Sequence, residues 1–529
     1  MKKRPHIILF NPDQMRSDAL HHLGNPAAIT PNLDAFAAND AVSFSNAFCQ
    51  NPVCTPSRCS FLTGLYPHVH GQRTMTHMLH QDQSSILQEM KSAGYHVWMT
   101  DRNDFLPAQV EGIFDQHATE TYSPVRARPN KPVLSNPRGT PDSASYYSHY
   151  HGELQTDSTG INYSRDDDSV DAAIDLIRNR PDDQPLFLFL ALFYPHPPYE
   201  VEEPYFSAID RSKLLPRIQH PDNWDLLPGM FKGLHDRIHM KNWTEEQWDE
   251  LRSCYLGMCM KIDHQFGKLC ETLKSEGIYD DCAIFFFSDH GDFCGDYDLV
   301  EKSQNVLTDN LMKVPFLVKP PKDCEIDPGI SDSLVELIDF YTTAMDFAGI
   351  IPDHTHFGQS LKPVLADRHT PHREVVFAEG GRLQDEQHCT EKNDSGELNP
   401  KNPYYPRLTL QTEAGTKHTK ATMLRSERYK LVKRLDETDE FYDLQNDPGQ
   451  LHNLIHEPEL QSLIVDYKLR MLNWYQSTCD VVPFKPDDRF TKASVLARFA
   501  NSNPELYEKA KQMMEDGLSP QNVLIQLAR

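Results

Sequence analysis

The residues best equipped for chemistry gather in Asn51-Pro-Val-Cys-Thr-Pro-Ser-Arg-Cys-Ser-Phe-Leu-Thr-Gly64. Thr55 is an N-cap residue type and Pro56 fits a first helical turn, so a helix is expected to start just after Cys54. A helix N-terminus favours anions, and Arg58 falls one turn into it. A cysteine in that setting has a lowered pKa and sits beside any bound oxyanion. Taken alone, Cys54 reads better as a buried structural cysteine. Cys59, one turn later, reads as helix packing.

Four more polar clusters each follow an apolar run. Asp13 and Gln14 follow residues 5–10, and Arg102 and Asp104 follow residues 95–100. His196 follows residues 185–193, and Asp289 with His290 follows residues 282–288. Any one of them is an ordinary loop, since Asp and Gly are common turn residues. Together they carry weight, because ligands of open α/β sheets bind outside the carboxyl ends of the strands. Asp13, Gln14, Asp289 and His290 offer oxygens and one imidazole. Such a set suits a hard cation such as Ca2+, and the imidazole leaves Mn2+ or Zn2+ open.

The elements that must position these clusters alternate. Helical patterns over residues 86–93, 169–178, 245–275 and 334–348 separate the apolar runs, which predicts a doubly wound, mostly parallel α/β sheet flanked by helices. Residues 106–165 hold no steady period and are rich in Pro, Ser, Tyr and His, densest at Ser145-Tyr-Tyr-Ser-His-Tyr-His151. Irregular stretches of that length in a compact domain are usually functional or disordered. From about residue 370 short strands at 374–378, 421–424 and 429–432 have hairpin spacing, as in a small antiparallel sheet. The reading is a catalytic domain over 1–369, a C-terminal α+β subdomain over 370–479 and a helical extension over 480–529.

The chain has 529 residues and a formal charge of −25, with 39% hydrophobic and 24% charged residues, ordinary for a soluble globular enzyme. That charge disfavours nucleic acid, anionic membranes and long polyanions as partners, and admits a small monoanionic ester more easily. Eleven cysteines, an odd number without a framework, fit a reducing compartment. No run has the length of a signal-peptide core or a membrane span, so a cytoplasmic protein is expected.

Cys54-Thr-Pro-Ser-Arg58 followed by Leu62-Thr-Gly64 resembles the signature of the formylglycine-dependent sulfatases, in the alkaline phosphatase superfamily. The resemblance implies an alkaline-phosphatase-like fold and oxidation of Cys54 to formylglycine by a maturation enzyme. It also implies one divalent metal, commonly calcium, on Asp13, Gln14, Asp289, His290 and the modified residue 54. His196, in Tyr-Pro-His-Pro-Pro, is similar to the family's sulfate-binding histidine, and Lys302 to its sulfate-binding lysine. Arg58 would help to hold the hydrated aldehyde. The family's Gly-Lys-Trp-His element is replaced by Asp101-Arg-Asn-Asp104, which puts Arg102 at the lysine position and Asp104 at the histidine position. The Asp-His pair at 289–290 also resembles the phosphonate monoester hydrolase branch.

The activity implied is hydrolysis of a sulfate monoester, with a small sulfated carbohydrate as the preferred substrate. The alternatives are a phosphonate monoester or phosphodiester hydrolase on the same fold, a non-catalytic protein that binds sulfate or sulfated sugars, and a thiolate-dependent enzyme. Homo-oligomerisation stays open.

Overall fold

The computed structural model describes residues 4–181, 183–391, 398–413, 418–484, 487–500 and 503–527. Eleven strands precede residue 340: β1 (His6–Asp13), β2 (Val42–Phe48), β3 (His96–Thr100), β4 (Glu120–Tyr122), β5 (Tyr150–Leu154), β6 (Leu186–Pro195), β7 (Tyr199–Glu202), β8 (Cys282–Phe287), β9 (Lys313–Val314), β10 (Phe316–Lys319) and β11 (Gly329–Glu336). One nine-stranded sheet runs in the order β11-β2-β10-β8-β1-β6-β3-β4, with β9 paired to β2. It is mixed, since β10 is antiparallel to β2 and β8 while β8, β1, β6 and β3 are mutually parallel. β5 and β7 form a separate two-stranded ribbon.

The central strands are apolar without interruption because both faces of the sheet are covered. In β1, Ile8 and Phe10 enter one core while Ile7 and Leu9 enter the other. β8 alternates in the same way, with Ile284 and Phe286 on one face and Phe285 and Phe287 on the opposite one. The first face packs on the helix Glu245–Ser275, whose Phe266 ring lies 5.4 Å from that of Phe10. The second packs on the helices Cys54–Thr63 and Asp339–Ala348, through Phe61 at 5.0 Å from Phe287 and Phe340 at 4.9 Å from Phe285. This is the doubly wound arrangement expected from the sequence.

Two local expectations differ. The helix expected over 334–348 begins only at Asp339, because Leu334, Val335 and Glu336 belong to β11 and pair with Asn46, Ala47 and Phe48 of β2. Apolar residues inside a helical period were taken by a parallel neighbour. The irregular stretch 106–165 also carries the short helix Ile113–His117 and the strands β4 and β5.

Beyond residue 370 lies a second, antiparallel sheet in the order β12 (Val376–Gly380), β13 (Ala421–Arg425), β14 (Tyr429–Arg434) and β15 (Glu440–Asp443). Contacts divide the chain into two compact units, Met1–Pro352 with His356–Asp480, and Asp353–Thr355 with Val481–Arg529. In the smaller unit the helices Lys492–Ala500, Pro504–Glu515 and Pro520–Leu527 close around Val495, Ala510 and Val523. No helix among the described residues is long and apolar enough to cross a membrane.

Candidate active site

β8, β1, β6 and β3 are neighbours and point the same way, so Asp289, Asp13, His196 and Arg102 leave the sheet along one edge. The helix Cys54–Thr63 faces that edge with its first residue, and Val53 is its N-cap. Thr55 does not cap: its hydroxyl donates to the Met75 carbonyl at 3.2 Å. The loop is fixed instead by Asn51, whose Oδ1 accepts from Val53 N at 3.1 Å.

Cys54 Sγ lies 3.2 Å from His290 Nε2 and 3.7 Å from Asp13 Oδ1. Asp13, Cys54, Asp289 and His290 are all buried, and each presents a ligand atom within 4.8 Å of the others. His290 Nδ1 sits 2.9 Å from the Gly291 carbonyl, a contact that only an N–H satisfies. Nε2 therefore turns its lone pair to the carboxylates of Asp13 at 3.8 Å and Asp289 at 3.9 Å. Burial, first of all, lowers the pKa of His290 and keeps it neutral. A lone pair and two carboxylates facing one another in a dry site form a donor set for a cation. A divalent ion fits it.

Gln14 borders the set. Its Nε2 donates to Asp292 Oδ2 at 2.6 Å and its Oε1 accepts from Lys302 Nζ at 2.7 Å, so the amide has one orientation. Its backbone N donates to Asp289 Oδ1 at 3.1 Å from a left-handed conformation, with φ at 68°.

Cations surround these donors. Arg58 is fully buried, with Nε 3.0 Å from Asp289 Oδ2, Nη2 2.9 Å from Asp13 Oδ2 and Nη1 without a hydrogen-bond partner among the described residues. Arg102 Nη2 pairs with the same Asp13 oxygen, and its guanidinium lies 4.7 Å from the centre of the Phe193 ring. Asp104 Oδ2 stands 3.6 Å from Arg58 Nε and 3.5 Å from Arg102 Nε. Burial works to raise the pKa of Asp13, but Arg102, Arg58 and Lys302 outweigh it and hold the carboxyl well below its usual range. Burial works against the Lys302 ammonium too, and Glu301 and Asp13 reverse the balance, so it stays charged.

Two protonation states decide the chemistry. Burial and Lys302 push His196 well below its ordinary pKa, against the pull of Asp13. With Nδ1 2.7 Å from the Pro197 carbonyl, His196 is a neutral ring whose Nε2 accepts. Burial, then Asp13, raises the Cys54 thiol well above its usual value. That reverses the lowered pKa expected at a helix start, because desolvation and adjacent carboxylates outweigh the partial charge of the helix end.

The structure thus brings together Cys54, Arg58, Arg102, Asp104, Lys302, Asp13, Gln14, Asp289 and His290, and His196 follows Pro195, which pairs with Asp13 between β1 and β6. It adds three residues that the sequence reading passed over. Tyr199 hydroxyl donates to Asp292 at 2.8 Å and accepts from Glu301 N at 2.9 Å, while Glu301 Oε1 lies 2.9 Å from Lys302 Nζ. Glu301 adjoins Lys302 and Asp292 lies two positions after His290, and that nearness was their only signal.

A model of the sulfatase family matches residues 5–350. The chain belongs to that family, whose members are sulfuric ester hydrolases. An arylsulfatase of Clostridium perfringens is 24% identical over 503 residues, covering 89% of this chain and 94% of that protein. An N-acetylglucosamine-6-O-sulfatase of Bacteroides thetaiotaomicron is 23% identical over 518 residues, covering 86% and 84%. A phosphonate monoester hydrolase from Silicibacter pomeroyi shares the fold, with a TM-score of 0.68 at 22% identity over 90% of this chain and 96% of that one. The sulfatase family assignment accounts for Cys54 at the head of its helix and for the alkaline-phosphatase-like sheet around it.

Proposed function

We propose that this protein hydrolyses a sulfate monoester of a small carbohydrate, using formylglycine made from Cys54 and one divalent cation, calcium first and manganese second. The observation that carries the reading is the place of Cys54, a buried thiol 3.2 Å from a cation donor, with its pKa raised by burial and then by Asp13. Such a side chain is a poor thiolate nucleophile and a well-placed precursor of an aldehyde. When bound, the cation supplies positive charge that favours ionisation of the aldehyde hydrate.

Asp13, Gln14, Asp289, His290 and residue 54 would hold that cation. Arg58 fixes both carboxylates and keeps one N–H unpaired. Arg102 and Lys302 place positive charge where the sulfuryl oxygens gain negative charge. Lys302, rather than His196, carries the proton for the leaving oxygen, since His196 is neutral with Nε2 as an acceptor. Asp104, with its side chain about a quarter exposed, is the acceptor for the proton released when the aldehyde is restored. The carbohydrate reading is supported by the glucosamine sulfatase relative and by the aromatic segment around residue 146. Eleven cysteines without a disulfide support a reducing compartment such as the cytoplasm, where a formylglycine-forming enzyme must act on Cys54.

A second reading, hydrolysis of phosphonate or phosphate diesters, is favoured by Gln14 and His290, two neutral donors where carboxylates would make the site more negative. Paired 4-nitrophenyl sulfate and 4-nitrophenyl phenylphosphonate assays, with peptide mass spectrometry of residue 54, separate the two. Faster turnover of the phosphonate would replace the sulfatase reading, and an intact thiol in active protein would end both.

A further inference from the structure

We propose that Arg138, His149 and Tyr404 form the subsite for the leaving group, and that the subsite is built for a sugar ring bearing a second anionic group. The proposal rests on the sulfate-ester reading above and adds the substrate class.

A chain of contacts leads there from Lys302. Its neighbour Glu301 is ion-paired with Arg407, which also donates to the Lys302 carbonyl at 3.1 Å. The Arg407 guanidinium lies 4.9 Å from the centre of the Tyr404 ring, and that ring is 5.1 Å from the imidazole of His149. His149 is tied to the site from the other side, because its carbonyl accepts from the backbone N of Tyr199 at 2.8 Å. The long segment before β6 is clamped onto the segment carrying Tyr404 by two phenols. Tyr146 donates to the Lys401 carbonyl at 2.8 Å, and Tyr147 to the Pro400 carbonyl at 3.1 Å.

The polar ends of this cluster are unspent. Among the described residues the Tyr404 hydroxyl and the His149 ring nitrogens have no hydrogen-bond partner in the protein, and Arg138 has no carboxylate. Arg138 is half-buried, 5.0 Å from the centre of the Tyr146 ring, and donates only to the Tyr146 carbonyl at 2.9 Å. Arg407, which like Arg138 acts on His149, is ion-paired with Glu301, in a chain whose net charge is −25. With no carboxylate beside it among the described residues, the Arg138 guanidinium can take an anion from the substrate. Guanidinium geometry suits a carboxylate or a second sulfate equally, so the shared chemistry is a second anion on the sugar. His149, with its pKa drawn down to about 3 chiefly by burial, stays neutral and hydrogen-bonds sugar hydroxyls without adding charge.

The test measures kcat/KM of the full-length enzyme and of Arg138→Gln and Arg138→Lys. The substrates are 4-nitrophenyl sulfate, a neutral monosulfated disaccharide, and that disaccharide bearing either a uronate carboxylate or a second sulfate. The wild type is expected to favour one of the dianionic sugars over the neutral one by about tenfold, and the two arms identify which anion. Arg138→Gln should lose about tenfold more on that sugar than on the aryl sulfate, with partial recovery in Arg138→Lys. Equal losses on all substrates, or no preference in the wild type, overturn the subsite. If none of the sulfate esters is hydrolysed, the parent reading fails. Calorimetry with the desulfated uronate disaccharide then decides the subsite alone, and an unchanged Kd in Arg138→Gln overturns it.

Discussion

Cys54 Sγ lies 3.2 Å from His290 Nε2, in the middle of a buried group that also holds Asp13 and Asp289. Under the proposed mechanism, replacing this thiol removes the nucleophile precursor and leaves the other donors in place. Cys54→Ala is expected to lose at least about 10³-fold in kcat/KM, as removal of a nucleophile does. Metal analysis after gel filtration should still find a divalent ion in Cys54→Ala, and its removal by chelator should silence the wild type.

Arg102 and Arg58 share one oxygen of Asp13, so the two arginines are not equivalent. Arg58 also bridges to Asp289 and is fully buried, whereas Arg102 keeps 18% of its side chain exposed. Arg102→Ala should lower kcat/KM by about 10²–10³ while the protein folds and binds metal normally. Arg102→Lys should recover part of that loss, limited by the missing bidentate geometry. Steady-state kinetics of the two variants, beside their metal content, checks both statements.

Gly291 follows the metal-donor pair and cannot carry a side chain. A Cβ there would meet the carbonyl oxygen of Asn310 at 2.0 Å, and a backbone atom cannot turn aside. Gly291→Ala is expected to cost about 1–3 kcal/mol in stability and to shift His290, weakening metal binding more than any effect on the far sheet. Thermal melts with and without added calcium would read it. A variant with wild-type melting temperature and metal content would refute the assignment of Gly291.

Acid should weaken the fold. Burial, then Lys91, draws His117 down to about 4, while its Nδ1 lies 2.7 Å from the hydroxyl of Ser85. In the unfolded chain it protonates near its ordinary value. Its contribution is therefore complete above about pH 6.5 and is lost progressively as pH falls towards 4, a term of about 3 kcal/mol. His117→Gln should flatten the loss of melting temperature between pH 6.5 and 4, measured by calorimetry.

Much of this was written in local sequence. β6 and β8 are apolar along their length because helices cover both faces, and a continuous apolar run is how that burial shows in one dimension. The helix Glu245–Ser275 carried its own start in Thr244 and Gln247, a capping box. Thr55 misled, because its hydroxyl found a carbonyl twenty positions away instead of the helix end. Leu334 misled in the same sense, since β2 recruited it. The lowered Cys54 pKa was misjudged because burial cannot be read from spacing.

The sequence by itself determined which side chains follow which strands, and with them the sulfatase family, since strand ends and helix starts are local matters of propensity and pattern. Only the tertiary structure decided that β8, β1, β6 and β3 stand side by side, and that Glu301 meets Arg407 across 106 positions of chain. Adjacency of that kind comes from closing long loops and excluding water, and those two steps set the charges of Cys54, His196 and Lys302.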